Sequence, residues 1–228
     1  MKARYFLLYI ISVLMLSSCT GESRRMLALL EQAEEMNRTD QPFQSDSIGK
    51  ALVSYYDHWW HSRNHRMRAY YMLGCAYRDM GSAPRALENY QRAVSIADTT
   101  DSRCDLNVLM RVHSQMSQIF LMQCLPEQEK RELLSARKLA EQIGDTVSAL
   151  TFESFLCNLL YNNKEYERCI SQSIILSRKF SSYNLKDRAM LTYVYCVKSY
   201  LAMGTILKQR STLTFTKLVL TFIAILRW

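Results

Sequence analysis

The side chains that could do chemistry are few and scattered. His58, His61 and His65 stand at i, i+3 and i+7, a spacing that sets three imidazoles along one helical face, where zinc could be held with a fourth donor. Arg63-Asn64 reads as a helix end, however, which puts His65 in a turn. The three are therefore read as packing or solvated residues beside Trp59 and Trp60. Among the cysteines, Cys19 stands alone near the N-terminus. Cys75, Cys104, Cys124, Cys157, Cys169 and Cys196 include no C-x-x-C pair, so neither a metal knuckle nor a dithiol redox motif is formed. Glu34-Glu35 is a carboxylate pair on the charged face of a helix, where solvation accounts for it. H-E-x-x-H, G-x-S-x-G, the phosphate-binding loop and G-x-G-x-x-G are all missing from the sequence. The expectation is a protein that is not an enzyme and needs no metal or cofactor.

Composition narrows the fold. Of 228 residues 49% are hydrophobic and 22% charged, which excludes a disordered chain. Six glycines and three prolines are too few to punctuate an all-β sandwich or barrel. The net charge of +8 is unevenly spread. Lys2 and Arg4 carry two of these charges, and Lys208, Arg210, Lys217 and Arg227 carry four more in an acid-free tail. Residues 19–204 keep only +2. A nucleic-acid binder concentrates basic charge on its folded body, so nucleic acid is not an expected partner.

The N-terminus reads as an export signal over residues 1–18. Two basic residues precede an apolar run, Tyr5 to Leu16, broken only by Ser12. The run is too short to span a bilayer, and the small residues Ser17-Ser18 follow it. Leu16-Ser17-Ser18-Cys19 resembles the bacterial lipobox, whose cysteine is acylated and becomes the new N-terminus. That resemblance implies lipidation at Cys19 and a mature chain held at a membrane of the bacterial cell envelope, facing the periplasm or the cell surface.

Between these ends the apolar residues recur at helical spacing. Nine helices are expected, over 24–37, 46–62, 66–80, 83–97, 104–123, 127–143, 146–161, 166–180 and 185–203. In the second, Ile48, Leu52, Tyr55 and Trp59 form one stripe, with Asp46 and Ser47 placed to cap its first turn. Gly144 reads as a left-handed stop and Asp145 as the cap of the following helix. Residues 19–44 are read as a linker and first helix, and 45–204 as one helical repeat domain.

Tyr70, Leu73, Gly74, Ala76, Tyr77, Gly81, Ala86, Tyr90 and Ala93 carry the repetition. Their spacing resembles the tetratricopeptide repeat (TPR). Gly74 and Ala86 would be small where the two helices of a hairpin approach, Leu73, Tyr77, Tyr90 and Ala93 would fill the seam, and Gly81 would turn the chain. Weaker copies follow, with Cys124 and Lys164 at the turn position and Glu129 in place of the small alanine. Steps of 43 and then 40 residues, from Gly74 to Ser117 to Cys157, exceed the usual repeat of about 34. The resemblance implies an all-α, TPR-like superhelical stack of antiparallel helix hairpins, an α-solenoid.

The same resemblance implies a groove lined by the first helix of each pair, taking a protein or peptide partner. Carried onto this sequence, the lining residues are Arg68, Tyr71 and Arg78, then Arg111, Gln115 and Gln118, then Asn158, Tyr161 and Lys198. Cys157 and Cys169 take the two small positions of their repeat, and an oxidising compartment could bridge them; the alternative is that both are buried free thiols. Residues 205–228 break the pattern. They are rich in threonine and isoleucine, too short in apolar length to span a membrane, and read as a truncation or a cap. The function expected is a membrane-anchored scaffold for protein interaction. Two alternatives stand beside it: the shortened sensor half of a TPR-containing transmembrane transcriptional regulator, and a glycan-uptake outer-membrane lipoprotein.

Overall fold

A computed structural model describes residues 21–208. The expected signal peptide, Cys19 and residues 209–228 lie outside the described residues. The chain divides into two compact units, residues 1–112 and 113–228. The first contains α1 (residues 21–38), α2 (Ser47–Tyr56), α3 (Arg63–Asp79) and α4 (Ala83–Ile96), with α3 packed against both α2 and α4. Helix α5 (Leu106–Met122) begins in the first unit and ends in the second. The second unit continues with α6 (Pro126–Gln142), α7 (Thr146–Asn162), α8 (Tyr166–Ser182) and α9 (Lys186–Lys208). Each of these packs on the next, and α7 also meets α9. No strand occurs among the described residues.

One turn is used repeatedly. Gly81, Cys124, Gly144, Lys164 and Asn184 all have left-handed backbones, with φ between 56° and 75°. After each, the next residue turns its N–H back to the carbonyl five residues earlier. The pairs are Ser82 to Tyr77, Leu125 to Phe120, Asp145 to Ala140, Glu165 to Leu160 and Leu185 to Phe180, all at 2.8–3.0 Å. This closure satisfies helix-end carbonyls and reverses the chain in three residues. From Cys124 to Asn184 the left-handed residues fall every 20 positions, because α6, α7 and α8 are each 17 residues long. A hairpin of the second unit is therefore 40 residues, the longer repeat that the sequence spacing predicted.

Five residues beyond each left-handed position the next helix buries a side chain: Ala86, Glu129, Ala149, Cys169 and Ala189. Four are small and one is a carboxylic acid. In the α3–α4 hairpin the closest approach differs from the expected one. A Cβ on Gly74 would lie 2.4 Å from the Tyr90 ring, so the space at Gly74 is taken by Tyr90, one helical turn beyond Ala86 on the same face of α4. Leu73, Tyr77, Ala86, Tyr90 and Ala93 are all buried, whereas Tyr70 is half-exposed and donates from its hydroxyl to Asp57 at 2.5 Å.

Helix α2 departs most from the expected element. It ends at Tyr56, and its buried residues are Gly49, Leu52 and Tyr56; Leu52 is as predicted, while Gly49 and Tyr56 stand one position on from Ile48 and Tyr55. The cause is again a glycine. A Cβ on Gly49 would sit 2.7 Å from the Leu73 Cα, so α2 touches the α3 backbone there. Asp57 stops the helix, its carboxylate bonded to the Tyr70 hydroxyl and to Arg66 at 3.0 Å. The Asp46 side chain pairs with Lys50 at 2.8 Å instead of capping α2. Helix α3 starts three residues early, since the Ser62 hydroxyl accepts the His65 N–H and caps it. Helix α9 runs past Gly204 to Lys208.

Two substitutions separate crowding from backbone strain. Gly74→Ala forces a methyl into the buried Tyr90 ring and should cost about 2 kcal/mol or more. Gly144→Ala meets open space and carries only a left-handed backbone penalty of about 1 kcal/mol. Lys164→Gly relieves a left-handed lysine and should raise stability by about 0.5 kcal/mol, relief partly offset by glycine's greater unfolded-state freedom. Urea denaturation of the three variants measures all of these.

Candidate functional site

The predicted lining residues divide into those held by a neighbouring helix and those that face outward. In the first unit α3 presents its expected lining to α1. The Arg68 guanidinium donates twice to the Glu34 carboxylate, both bonds 2.6 Å. Asn37 donates its side-chain amide to the Tyr71 hydroxyl at 3.3 Å and accepts from Arg78 at 3.1 Å. Arg78 also bonds Asp79 at 2.8 Å, and the other oxygen of Asp79 accepts the Phe43 N–H at 3.0 Å. Tyr71 is only 3% exposed, and burial drives its phenol pKa well above the ordinary range. Arg68, Tyr71 and Arg78 thus join α3 to α1 and are not an open lining, contrary to the sequence expectation. The residues that hold them, Glu34 and Asn37, were not singled out from the sequence, because the first helix shows no repeat signature. Arg111 on α5 is exposed.

In the second unit Gln118, Asn158 and Lys198 stand 40 residues apart on α5, α7 and α9, at one register of successive first helices. Gln118 and Lys198 are exposed and Asn158 is half-buried. Tyr161 is drawn inward instead, packing beside Leu160, Leu185 and Tyr195 on the core of Leu150, Cys157, Cys169, Leu176, Phe180 and Ala189, with its ring 5.8 Å from that of Tyr166. Gln115 is half-buried and partnered. Two turns before Asn158 on α7, Thr151 accepts from Arg188 of α9, a link between first helices like that of Arg68 and Glu34.

The buried titratable groups do not converge on a reaction centre. Cys157 and Cys169 are free thiols here: the Cys169 thiol donates to the Cys157 carbonyl oxygen at 3.2 Å, and no bridge joins them. Burial pushes the thiols of Cys75, Cys157 and Cys196 up to about 11, which leaves little thiolate for attack at neutral pH. His113 and Glu132 share a 2.6 Å contact. Among the described residues no group of three His, Cys, Asp or Glu side chains is placed to hold a metal ion. The three histidines expected to pack near tryptophan do stack on rings, His58 on Trp60 at 4.4 Å and His65 on Tyr56 at 5.1 Å, while His61 lies against Tyr55 at 4.8 Å. His65 belongs to the first turn of α3 rather than to a turn before it.

Glu129 is the exception in its register. It is 4% exposed at a position where the other hairpins bury alanine or cysteine, and desolvation raises its pKa. A folded-state pKa above the unfolded value gives stability that is complete below the ordinary glutamate range and is lost as pH rises through the raised value. Glu129→Gln should therefore melt higher than the wild type at pH 7, with the gap closing towards pH 4, as followed by thermal denaturation across that range.

No family model matches the chain, and no curated protein matches its sequence. Solved structures do match. Two crystal structures of the "kinesin light chain nearly identical TPR-like repeats" of Podosopora anserina superpose with TM-scores of 0.61 and 0.60, at 14% and 12% identity. Each covers 88% of this chain, and 94% and 95% of the chains compared. BtubC (BKLC) from P. vanneervenii matches with a TM-score of 0.50 and 15% identity, over 79% of this chain and 83% of its own. Recurrent left-handed turns, helix-only architecture and these structural neighbours agree on one fold: an all-α, TPR-like stack of antiparallel helix hairpins.

Proposed function

We propose that the chain is a scaffold that binds a protein or peptide partner along its first helices, anchored at a membrane outside the cytoplasm through Cys19. The observation that carries the binding role is the recurrence of Gln118, Asn158 and Lys198 at one register, every 40 residues. Stacked hairpins repeat the same outward position at a fixed interval, which suits an extended chain lying across them. Amide and ammonium donors pair with the carbonyls and carboxylates of such a chain. Glu34 and Asp79, by contrast, already occupy the arginines of α3, so the partner reads the outward positions of the later helices. The anchor is supported by Leu16-Ser17-Ser18-Cys19 following a basic, apolar leader. No described helix is long and apolar enough to cross a membrane.

Affinity capture from solubilised bacterial membranes tests the binding role. The double variant Gln118→Glu/Lys198→Glu should lose the captured partner, while Lys138→Glu on the exposed face of α6 keeps it. Equal capture by both variants would remove this surface from the account. Cys19→Ala should shift the protein out of the membrane fraction on sedimentation.

A further inference from the structure

The most exposed aromatic side chain among the described residues belongs to neither a groove nor a core. Between α2 and α3, Trp59 is 86% exposed and Trp60 61%. Their rings meet edge to face at 5.9 Å, and His58 stacks on Trp60. Two neighbouring tryptophans held out of the core of a well-packed unit need a medium that takes an apolar ring and a polar N–H together.

The topology of the first unit says which end they occupy. Glu34 pairs with Arg68 and Asn37 with Arg78, while Phe43, just past α1, bonds Asp79 at the end of α3. Helices α1 and α3 therefore run in the same direction, and their N-termini share one end. Asp57, closing α2, bonds Arg66 and Tyr70 near the start of α3, and Tyr56 lies within the field of Glu31. The 57–62 loop thus lies at the N-terminal end of α3, level with the middle of α1. From Glu31 to residue 21, α1 runs on past that level by ten residues, about 15 Å of helix.

Charge at that end is balanced. Arg24 and Arg25, exposed on the first turns of α1, share that helix with the exposed acids Glu22 and Glu31. Asp57 is paired with Arg66, Asp98 with Arg63 and Asp101 with Arg103. Exposed tryptophan is the side chain of the bilayer interface, where indole sits among headgroups, and exposed arginine on the same unit can meet lipid phosphate.

We propose that the His58–His61 loop docks on the lipid bilayer, seating Trp59 and Trp60 at headgroup depth beside the acylated N-terminus. The inference rests on the anchor at Cys19, which stands two residues before the first described residue of α1. The loop would be a second attachment point, fixing the orientation of the first unit on the membrane.

The test uses the full acylated chain with Trp228→Phe, so that only Trp59 and Trp60 emit. It is reconstituted into vesicles of phosphatidylethanolamine and phosphatidylglycerol whose acyl chains are brominated near the headgroup. Brominated lipid should quench emission by about half or more relative to unbrominated vesicles, as expected for interfacial indole. Unchanged emission from protein that floats with the vesicles overturns the loop contact and leaves the anchor standing. Failure of the wild type to float, or flotation of Cys19→Ala equal to it, overturns the anchor and this inference together. An emission shift with soluble oligosaccharide and none with brominated lipid also overturns it, and makes the loop a sugar platform.

Discussion

The left-handed turn closed by a hydrogen bond five residues back is the constraint on which the helix ladder depends. Each instance reverses the chain in three residues and satisfies carbonyls that a helix end would otherwise leave bare. Two of the five positions are glycine. Cys124, Lys164 and Asn184 adopt the same backbone at some cost. That cost is accepted because the turn sets where the next helix begins, and so which residue, five positions on, is buried against the preceding helix. The interval between turns then fixes the hairpin length, and the 40-residue recurrence of outward polar residues follows from it.

Close packing in the first unit rests on two missing side chains. Gly49 admits the α3 backbone and Gly74 admits the Tyr90 ring. Without Cβ atoms at these points α2, α3 and α4 would have to separate, and the contacts that dispersion forces reward would be lost at their lining. The second unit solves the same problem with small polar residues. Ser173, Ser177, Thr192 and Ser199 are buried on α8 and α9; Ser177 and Thr192 return their hydroxyl protons to backbone carbonyls, whereas the buried Ser199 hydroxyl has no hydrogen-bond partner among the described residues.

The proposed scaffold role needs rigidity between helices and chemical variety on outward faces, and the two demands fall on different residues. The bidentate pair of Arg68 and Glu34 and the bond from Arg188 to Thr151 tie successive first helices together within each unit. Arginines engaged in this way are structural, and their charge is spent on the neighbouring helix. In the function proposed above, recognition falls to Gln118, Asn158 and Lys198, and attachment to the aromatic loop that precedes α3.

Periodicity and punctuation were enough to read the helical class, the number and approximate limits of the helices, the long repeat and the turn positions at Gly81, Cys124, Gly144 and Lys164, because each depends on residues within one helical turn of each other. The direction in which a helix face points was not readable. Arg68, Tyr71 and Arg78 have the spacing of an exposed lining, yet α1 covers them, since a stripe at 3.6-residue spacing is the same whether a neighbour or water lies against it. The buried face of α2 was read with Ile48 and Tyr55 where Gly49 and Tyr56 are buried, and its C-terminus six residues late, for a related reason: Gly49 carries no hydrophobic signal although it marks a close helix contact, and Asp57 ends the helix through partners on α3. Those are contacts between segments distant in the chain, and only the tertiary structure brings them together.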